Sequence, residues 1–109
     1  MTTMSTSNRH EILIGLHVSD DAGYQRYRDG MTPLLEACGG TFRYDFRVGE
    51  MLRGKAEKPI NRLFLISFPD VDTKTRFFSD PAYLAVRGEH FDKAVDVVER
   101  IAEFAQQVD

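Results

Sequence analysis

The chain has 109 residues, of which 42% are hydrophobic and 28% charged, a composition typical of one ordinary globular domain. Its net charge of −3 argues against a nucleic-acid-binding protein. The sequence contains no apolar run of about 18 residues, so we expect no membrane span. The lone cysteine excludes an internal disulfide and favours a reducing compartment, so we expect a cytoplasmic protein.

The first residues are rich in threonine and serine and lack the hydrophobic segment of a signal peptide. We therefore expect residues 1–9 to form a flexible tail and residues 10–109 to form the single domain. His10–Val18 alternates in hydrophobicity and predicts the first strand. One face of this strand is apolar and consists of Ile12, Ile14, Leu16 and Val18.

Ser19–Asp21 is a cluster of helix-capping residues and predicts the start of the first helix. The apolar residues that follow recur at helical spacing: Tyr24, Tyr27, Met31, Leu34, Leu35 and Cys38. Pro33 removes one backbone hydrogen bond, so it predicts a kink or a break. Gly39 and Gly40 predict the end of the helix.

Thr41–Met51 predicts the second strand, with Gly49 as a candidate bulge. Strict alternation would place its aromatic residues on one face and its polar residues on the other. The first set is Phe42, Tyr44 and Phe46 with Val48, and the second is Thr41, Arg43, Asp45 and Arg47. A polar loop, Gly54–Asn61, then leads to the next strand.

Arg62–Phe68 predicts the third strand and is apolar on both faces, so both faces must be covered. Pro69 ends it, because proline cannot donate to the ladder. A domain of this size has helices for only one face of such a sheet. The other face therefore predicts a partner.

Two short helical segments follow. Asp70 or Asp72 is expected to cap the first, and Asp80 the second, with Pro81 at its first position. Val95–Phe104 is ambiguous, because its apolar residues fit a helical period and an alternating strand almost equally well.

The predicted order is β-α-β-β-α followed by this undecided element, as in a split β-α-β fold. The segments YRDGMTPLLEACGG, VGEML, FLISFPD and FFSDPAYLAVR together resemble the domain-of-unknown-function 1330 family, within the dimeric α/β-barrel superfamily. The resemblance extends over about Glu11–Phe104. The residues that carry it most strongly are Tyr24, Tyr27, Pro33, Gly39, Gly40, Phe68, Pro69, Asp80, Pro81 and Tyr83.

This resemblance implies that Val97–Phe104 is a fourth strand. The expected fold is then α+β, a ferredoxin-like β-α-β-β-α-β sandwich with a four-stranded antiparallel sheet and helices on one face. The resemblance also implies a homodimer, in which two sheets pack face to face as a dimeric α/β barrel. The partner of the open sheet face would be a second copy of the chain, with no nucleic acid and no membrane involved.

Tyr83, Arg87 and His90 are spaced four and three residues apart and so share one helical face. With Tyr44, they are predicted to line a ligand pocket between sheet and helices. Arg87 would pair with a substrate carboxylate, and His90 would move a proton. The alternative is a solvated face in which Arg87 and His90 cap the helix and Tyr83 packs in the core.

His17 is a second candidate general base, or else a partly buried histidine without a reaction. Asp45 lies between Arg43 and Arg47 and is either an acid held by two cations or part of an exposed charge ladder. The three histidines show no close metal-ligand spacing, so we expect neither a metal nor a cofactor.

Three hypotheses for function remain open. The first is a dimer that binds a small organic molecule. The second is a cofactor-free oxygenase or isomerase, with His90 or His17 as base and Tyr44 or Arg87 as orienting group. The third is a structural dimer without a ligand. An enzyme predicts that these side chains converge on one pocket, whereas a structural dimer predicts that they are scattered.

Overall fold

The computed structural model describes residues 9–106, so most of the predicted tail lies outside the described residues. The strands pair in the order β2-β3-β1-β4, and every pair is antiparallel. The C-terminal segment is a strand, which resolves the ambiguity and confirms the predicted β-α-β-β-α-β order. The elements are β1 (His10–Val18), α1 (Asp21–Ala37), β2 (Thr41–Arg47), β3 (Arg62–Phe68), α2 (Val71–Ser79), α3 (Pro81–Val86), a π-turn (Arg87–Phe91), α4 (Asp92–Ala94) and β4 (Val95–Ala105).

Three aspartates begin the helices as predicted, each by accepting a hydrogen bond from a free backbone N–H of the first turn. Asp20 accepts from Gly23 N at 3.1 Å at the start of α1. Asp70, rather than Asp72, caps α2 by accepting from Thr73 N at 2.7 Å. Asp80 caps α3 in the same way, with Pro81 at the first helical position.

α1 continues through Pro33 to Ala37, so the predicted break does not occur. Pro33 lies close to the end of the helix and costs it a single backbone bond, while Met31 and Leu35 on either side are buried in the core. The chain leaves the helix at Gly39, two residues after Ala37, with a φ of +86° that is readily adopted only by glycine.

The helices cover one face of the sheet. Buried residues of β1 and β3 form this face and pack against the aromatic side chains of the helices. The principal members of this core are Ile12, Leu16, Phe64, Ile66, Phe68, Tyr24, Tyr27, Leu35, Phe77 and Tyr83. Within the described residues, no helix is long and apolar enough to cross a bilayer.

The opposite sheet face, here called the open face, carries apolar side chains with no helix above them. Leu13 of β1 lies opposite Leu65 of β3 there, and Gly15 lies opposite Leu63. Four large apolar side chains on this face are more than a third exposed: Tyr44, Phe46, Ile101 and Phe104. The sheet is therefore apolar on both sides, as the two-sided pattern of the third strand predicted.

β2 differs from its prediction in length and in register. It ends at Arg47 rather than Met51, and its bulge lies at Arg43 rather than Gly49, since Phe42 pairs with Ile66 but Tyr44 pairs with Leu65. Beyond the bulge the faces are exchanged, so strict alternation is wrong: Tyr44 and Phe46 lie on the open face, and Asp45 and Arg47 lie on the helix side.

Two ion pairs on opposite faces explain this register. Arg43 Nε lies 2.7 Å from Glu11 Oε2 on the open face, and the Glu11 side chain is fully buried. Asp45 accepts two hydrogen bonds from Arg28 of α1, at 2.8 and 3.0 Å, on the helix side. Both pairs can form only if the strand shifts its alternation between Arg43 and Asp45. The expectation that Arg43 and Arg47 flank Asp45 on one face is therefore wrong.

Candidate functional site

A cavity of about 230 Å³ lies between the sheet and the helices. Its walls are mostly aromatic and aliphatic, which is typical of sites for small organic ligands. The sheet contributes Ile14, Leu16, Phe42, Phe64, Ile66, Val98 and Arg100, and the helices contribute Tyr27, Met31, Phe78, Tyr83, Arg87 and Phe91.

Two tyrosines form the polar part of the cavity's interior. The Oη atoms of Tyr27 and Tyr83 lie 2.9 Å apart, and these residues are only 6% and 2% exposed. Burial raises the pKa of Tyr27 well above its usual range, with the neighbouring Tyr83 as a further cause. Tyr27 is therefore a neutral phenol, suited to hydrogen bonding rather than to proton abstraction.

The π-turn brings one charged and one aromatic side chain to the cavity wall. Its first and last residues, Arg87 and Phe91, both line the cavity, and the Arg87 guanidinium lies 4.8 Å from the centre of the Phe91 ring. The nearest acidic group is loosely placed, with Asp92 Oδ1 3.7 Å from Arg87 Nε. Single π-turns of this kind occur frequently at functional sites.

Arg100 of β4 supplies a second guanidinium from the sheet side. Its Nη1 atom lies 3.1 Å from Glu103 Oε1. The other oxygen of Glu103 contacts Lys74 Nζ at 2.7 Å and His10 Nε2 at 2.5 Å. Three basic side chains thus share one carboxylate beside the cavity.

Glu103 is expected to make the stability of the domain depend on acid pH. The hydrogen bond from Lys74, followed by that from His10, lowers the pKa of Glu103 from its usual 4.5 to about 2. The unfolded chain therefore binds this proton more readily than the folded chain between pH 4.5 and 2. The stabilisation is complete above about pH 4.5 and is lost as the pH falls toward 2.

Urea unfolding of the wild type and of Glu103→Gln, measured from pH 2.5 to 6, checks this. The wild type should lose more stability than the variant as the pH falls. Glu36→Gln is the control, because Glu36 is an exposed helical carboxylate with no ion-pair partner within residues 9–106. Equal pH dependence in the wild type and Glu103→Gln would contradict the role of this carboxylate.

The structure brings together two of the four predicted ligand-binding residues. Tyr83 and Arg87 line the cavity, whereas Tyr44 and His90 do not. The bulge turns Tyr44 to the open face, where its ring stacks on Phe46 with a centroid distance of 6.0 Å. His90 lies within the π-turn and does not share the cavity-lining face of Arg87. Its nearest ion-pair partner is Glu89, at 4.0 Å.

His17, the other candidate base, lies on the open-face side of β1. Its Nδ1 atom is 2.6 Å from the backbone oxygen of Pro59, so it fastens the loop between β2 and β3. It is not among the residues that line the cavity. Within the described chain, no group of three or more histidine, cysteine, aspartate or glutamate side chains is placed to hold a metal ion.

Tyr27, Phe91 and Arg100 line the cavity but were not among the predicted ligand-binding residues. Tyr27 belonged to the apolar pattern of the first helix, which indicates core packing and does not reveal a cavity. Phe91 lies four residues after Arg87, the spacing of a shared helical face, but as an apolar residue it indicated core packing rather than a ligand site. Arg100 lies on β4, the one element whose type the sequence left undecided.

Comparison with known proteins identifies similar folds. The model of a family described as Domain of unknown function (DUF1330) matches residues 12–102. A solved protein of unknown function from Rhodopseudomonas palustris is 18% identical with a TM-score of 0.79, covering 94% of this chain and 85% of that one.

Two further solved structures have the same fold. A dimeric α/β-barrel family protein with a ferredoxin-like fold from Mesorhizobium loti is 18% identical with a TM-score of 0.62, over 93% of this chain and 99% of that one. A dimeric protein of unknown function with a ferredoxin-like fold from Bacteroides fragilis is 10% identical with a TM-score of 0.57, over 89% and 95%. No curated protein matches the chain. At these identities the likeness shows the fold alone.

Proposed function

The chain belongs to the domain-of-unknown-function 1330 family, and we propose that it is a homodimer that binds a small organic molecule in the sheet–helix cavity of each subunit. The observation that carries the proposal is the cavity of about 230 Å³, in which aromatic walls surround a buried pair of phenols and an arginine. Apolar cavities with a few convergent polar groups are the usual sites of small-molecule binding.

The open face supports the homodimer. Tyr44 and Phe46 of β2 and Ile101 and Phe104 of β4 leave apolar surface exposed at both edges of this face. The partly buried Leu13 and Leu63 lie between them, and an apolar patch of this kind marks an interaction site. Two such faces related by a two-fold axis are self-complementary. One of the structures that this chain resembles is described as dimeric, and another as a dimeric α/β-barrel family protein.

The chemistry of the cavity favours binding over turnover. The ionisable side chains that line it are two tyrosines and two arginines, within the part of the chain that the structure describes. These groups are hydrogen-bond donors at neutral pH, and neither His17 nor His90 is among them. The hypothesis of an oxygenase or isomerase with one of these histidines as base therefore receives no support from the cavity.

A tryptophan at position 98 is expected to abolish ligand binding by filling the cavity. Val98 is half exposed and lines the cavity from β4, so the larger side chain occupies ligand space without removing a charge. A thermal-shift screen of a metabolite library should find a compound that stabilises the wild type. A ligand at one hundred times its Kd adds about 2.7 kcal/mol of stability, and Val98→Trp should lose that gain.

Val71→Trp is the matched control, because Val71 is equally exposed on α2 but does not line the cavity. It should keep the wild-type response. A hit that stabilises Val98→Trp as much as the wild type would contradict binding in the cavity. The absence of any stabilising compound would count against the binding function itself.

A further inference from the structure

From the charges around the cavity, we infer that its ligand is a small aromatic monocarboxylate, held by Arg87 and Arg100 at the entrance with its ring between the aromatic walls. This inference rests on the proposed binding function and adds the chemical class of the ligand.

The charged side chains that line the cavity are positive. Two guanidinium groups line the cavity, one from the helix layer and one from the sheet, and within residues 9–106 no carboxylate lines it. The acidic neighbours leave donors unused, because Asp92 is 3.7 Å from Arg87 and Glu103 is shared among Arg100, Lys74 and His10. An anion is therefore the favoured occupant of this entrance, and a carboxylate matches the planar fork of a guanidinium.

The two arginine side chains that line the cavity are partly exposed to solvent. Arg87 and Arg100 have side chains that are 41% and 58% exposed, whereas the tyrosines inside the cavity are almost fully buried. A ligand would keep its charged group at the solvent side and place its uncharged part inside. A ligand with one negative charge at its solvent-facing end is thus accommodated. A second charge on its buried end would lack a counter-ion among the lining residues.

The interior of the cavity is small and mostly lined by aromatic and aliphatic side chains. The rings of Phe42, Phe64, Phe78 and Phe91 line it, and aromatic walls favour flat apolar ligands. A volume of about 230 Å³ lies below the roughly 300–1,000 Å³ of sites for drug-sized ligands, so one ring with short substituents is the appropriate size. One of the two phenol protons of the Tyr27–Tyr83 pair is donated within the pair, which leaves the other for an oxygen on the ring.

The test compares 4-hydroxybenzoate with its neutral counterpart 4-hydroxybenzamide, using NMR titrations of the full-length protein at low salt. The two probes have the same ring and the same ring hydroxyl and differ in charge. We expect the acid to bind at least about tenfold more tightly, as charge-assisted hydrogen bonds to arginine imply. Arg87→Gln and Arg100→Gln should each reduce this preference, and Arg53→Gln, an exposed arginine of the β2–β3 loop, should leave it unchanged.

The outcomes separate the two claims. Equal affinities for acid and amide, both lost in Val98→Trp, would overturn the carboxylate class and leave the binding function intact. A preference for the acid that survives in both Arg87→Gln and Arg100→Gln, or that falls equally in Arg53→Gln, would also overturn the inference. Failure of both probes to shift any resonance of the cavity residues would overturn this class of ligand, and the library screen then decides the binding function.

Discussion

Replacing Ile101 with aspartate is expected to convert the proposed dimer into monomers at micromolar concentration. Ile101 lies at a bulge of β4 on the open face and is 51% exposed in the subunit. Its side chain lies over Gly15 of β1, with Cδ1 3.4 Å from the position that a Cβ atom would take there. A carboxylate there costs the isolated subunit little, because water can reach it. In a face-to-face dimer it would be desolvated against an apolar surface.

The two-fold axis doubles the effect, because each dimer contains the substitution twice. Disrupting a central apolar position of an interface costs about 2 kcal/mol or more of binding free energy. Two such positions in each dimer should therefore raise its dissociation constant by roughly 1,000-fold. Analytical ultracentrifugation over a range of concentrations measures this directly. Circular dichroism of the variant should match that of the wild type, which separates dissociation from unfolding.

Leu84→Asp is the matched control, because Leu84 is 47% exposed on α3, away from the open face. It should remain a dimer with the wild-type dissociation constant. A wild type that sediments as a monomer at micromolar concentration would contradict the dimer proposal. So would an Ile101→Asp variant that stays dimeric, since the interface would then lie elsewhere.

The fold could be predicted largely because its signals are local. Asp20, Asp70 and Asp80 accept hydrogen bonds within two or three residues of their own positions, so a short window of sequence contains the whole interaction. The C-terminal element is different, because Val95–Phe104 satisfies both periods. It becomes a strand by pairing along the whole length of β1, an interaction between opposite ends of the chain.

The faces of β2 could not be predicted for a related reason. Phe42–Arg47 alternates in sequence, but the bulge at Arg43 depends on Glu11 and Arg28, which lie on other elements. A buried carboxylate that requires a counter-charge outweighs the local pattern. The displacement of Tyr44 from the predicted pocket follows directly from this register shift.

The candidate site was predicted in part. Tyr83 and Arg87 are four residues apart on a regular helix, so their shared face was readable. Phe91 lies four residues after Arg87 and also lines the cavity, whereas His90, three residues after Arg87 within the π-turn, does not.

Truncating Tyr83 to alanine is expected to cost more stability than any other single change considered for this domain. Its ring packs against Phe77 and Phe78 at centroid distances of 4.7 and 5.4 Å, and against Tyr27 at 6.2 Å. Removing a buried aromatic ring typically costs about 3–5 kcal/mol, which is a large part of the 5–15 kcal/mol that such domains possess. Urea unfolding monitored by circular dichroism measures the loss.

Two features place the expected loss toward the upper end of that range. Tyr83 borders an existing cavity, so the removed ring enlarges empty space that the neighbouring side chains cannot readily fill. The change also leaves the buried Tyr27 hydroxyl without its partner, which adds about 1–3 kcal/mol if no water replaces it.

Tyr83→Phe separates these two contributions, because it removes the hydroxyl and keeps the ring. It should cost about 1–3 kcal/mol, because it also leaves the buried Tyr27 hydroxyl without its partner, and the difference between the two variants then measures the packing of the ring. If Tyr83→Ala were as stable as Tyr83→Phe, the aromatic cluster would not depend on this ring. The cavity walls would then be too adaptable to select one ligand shape, and an aromatic ligand would no longer be favoured over a flexible one.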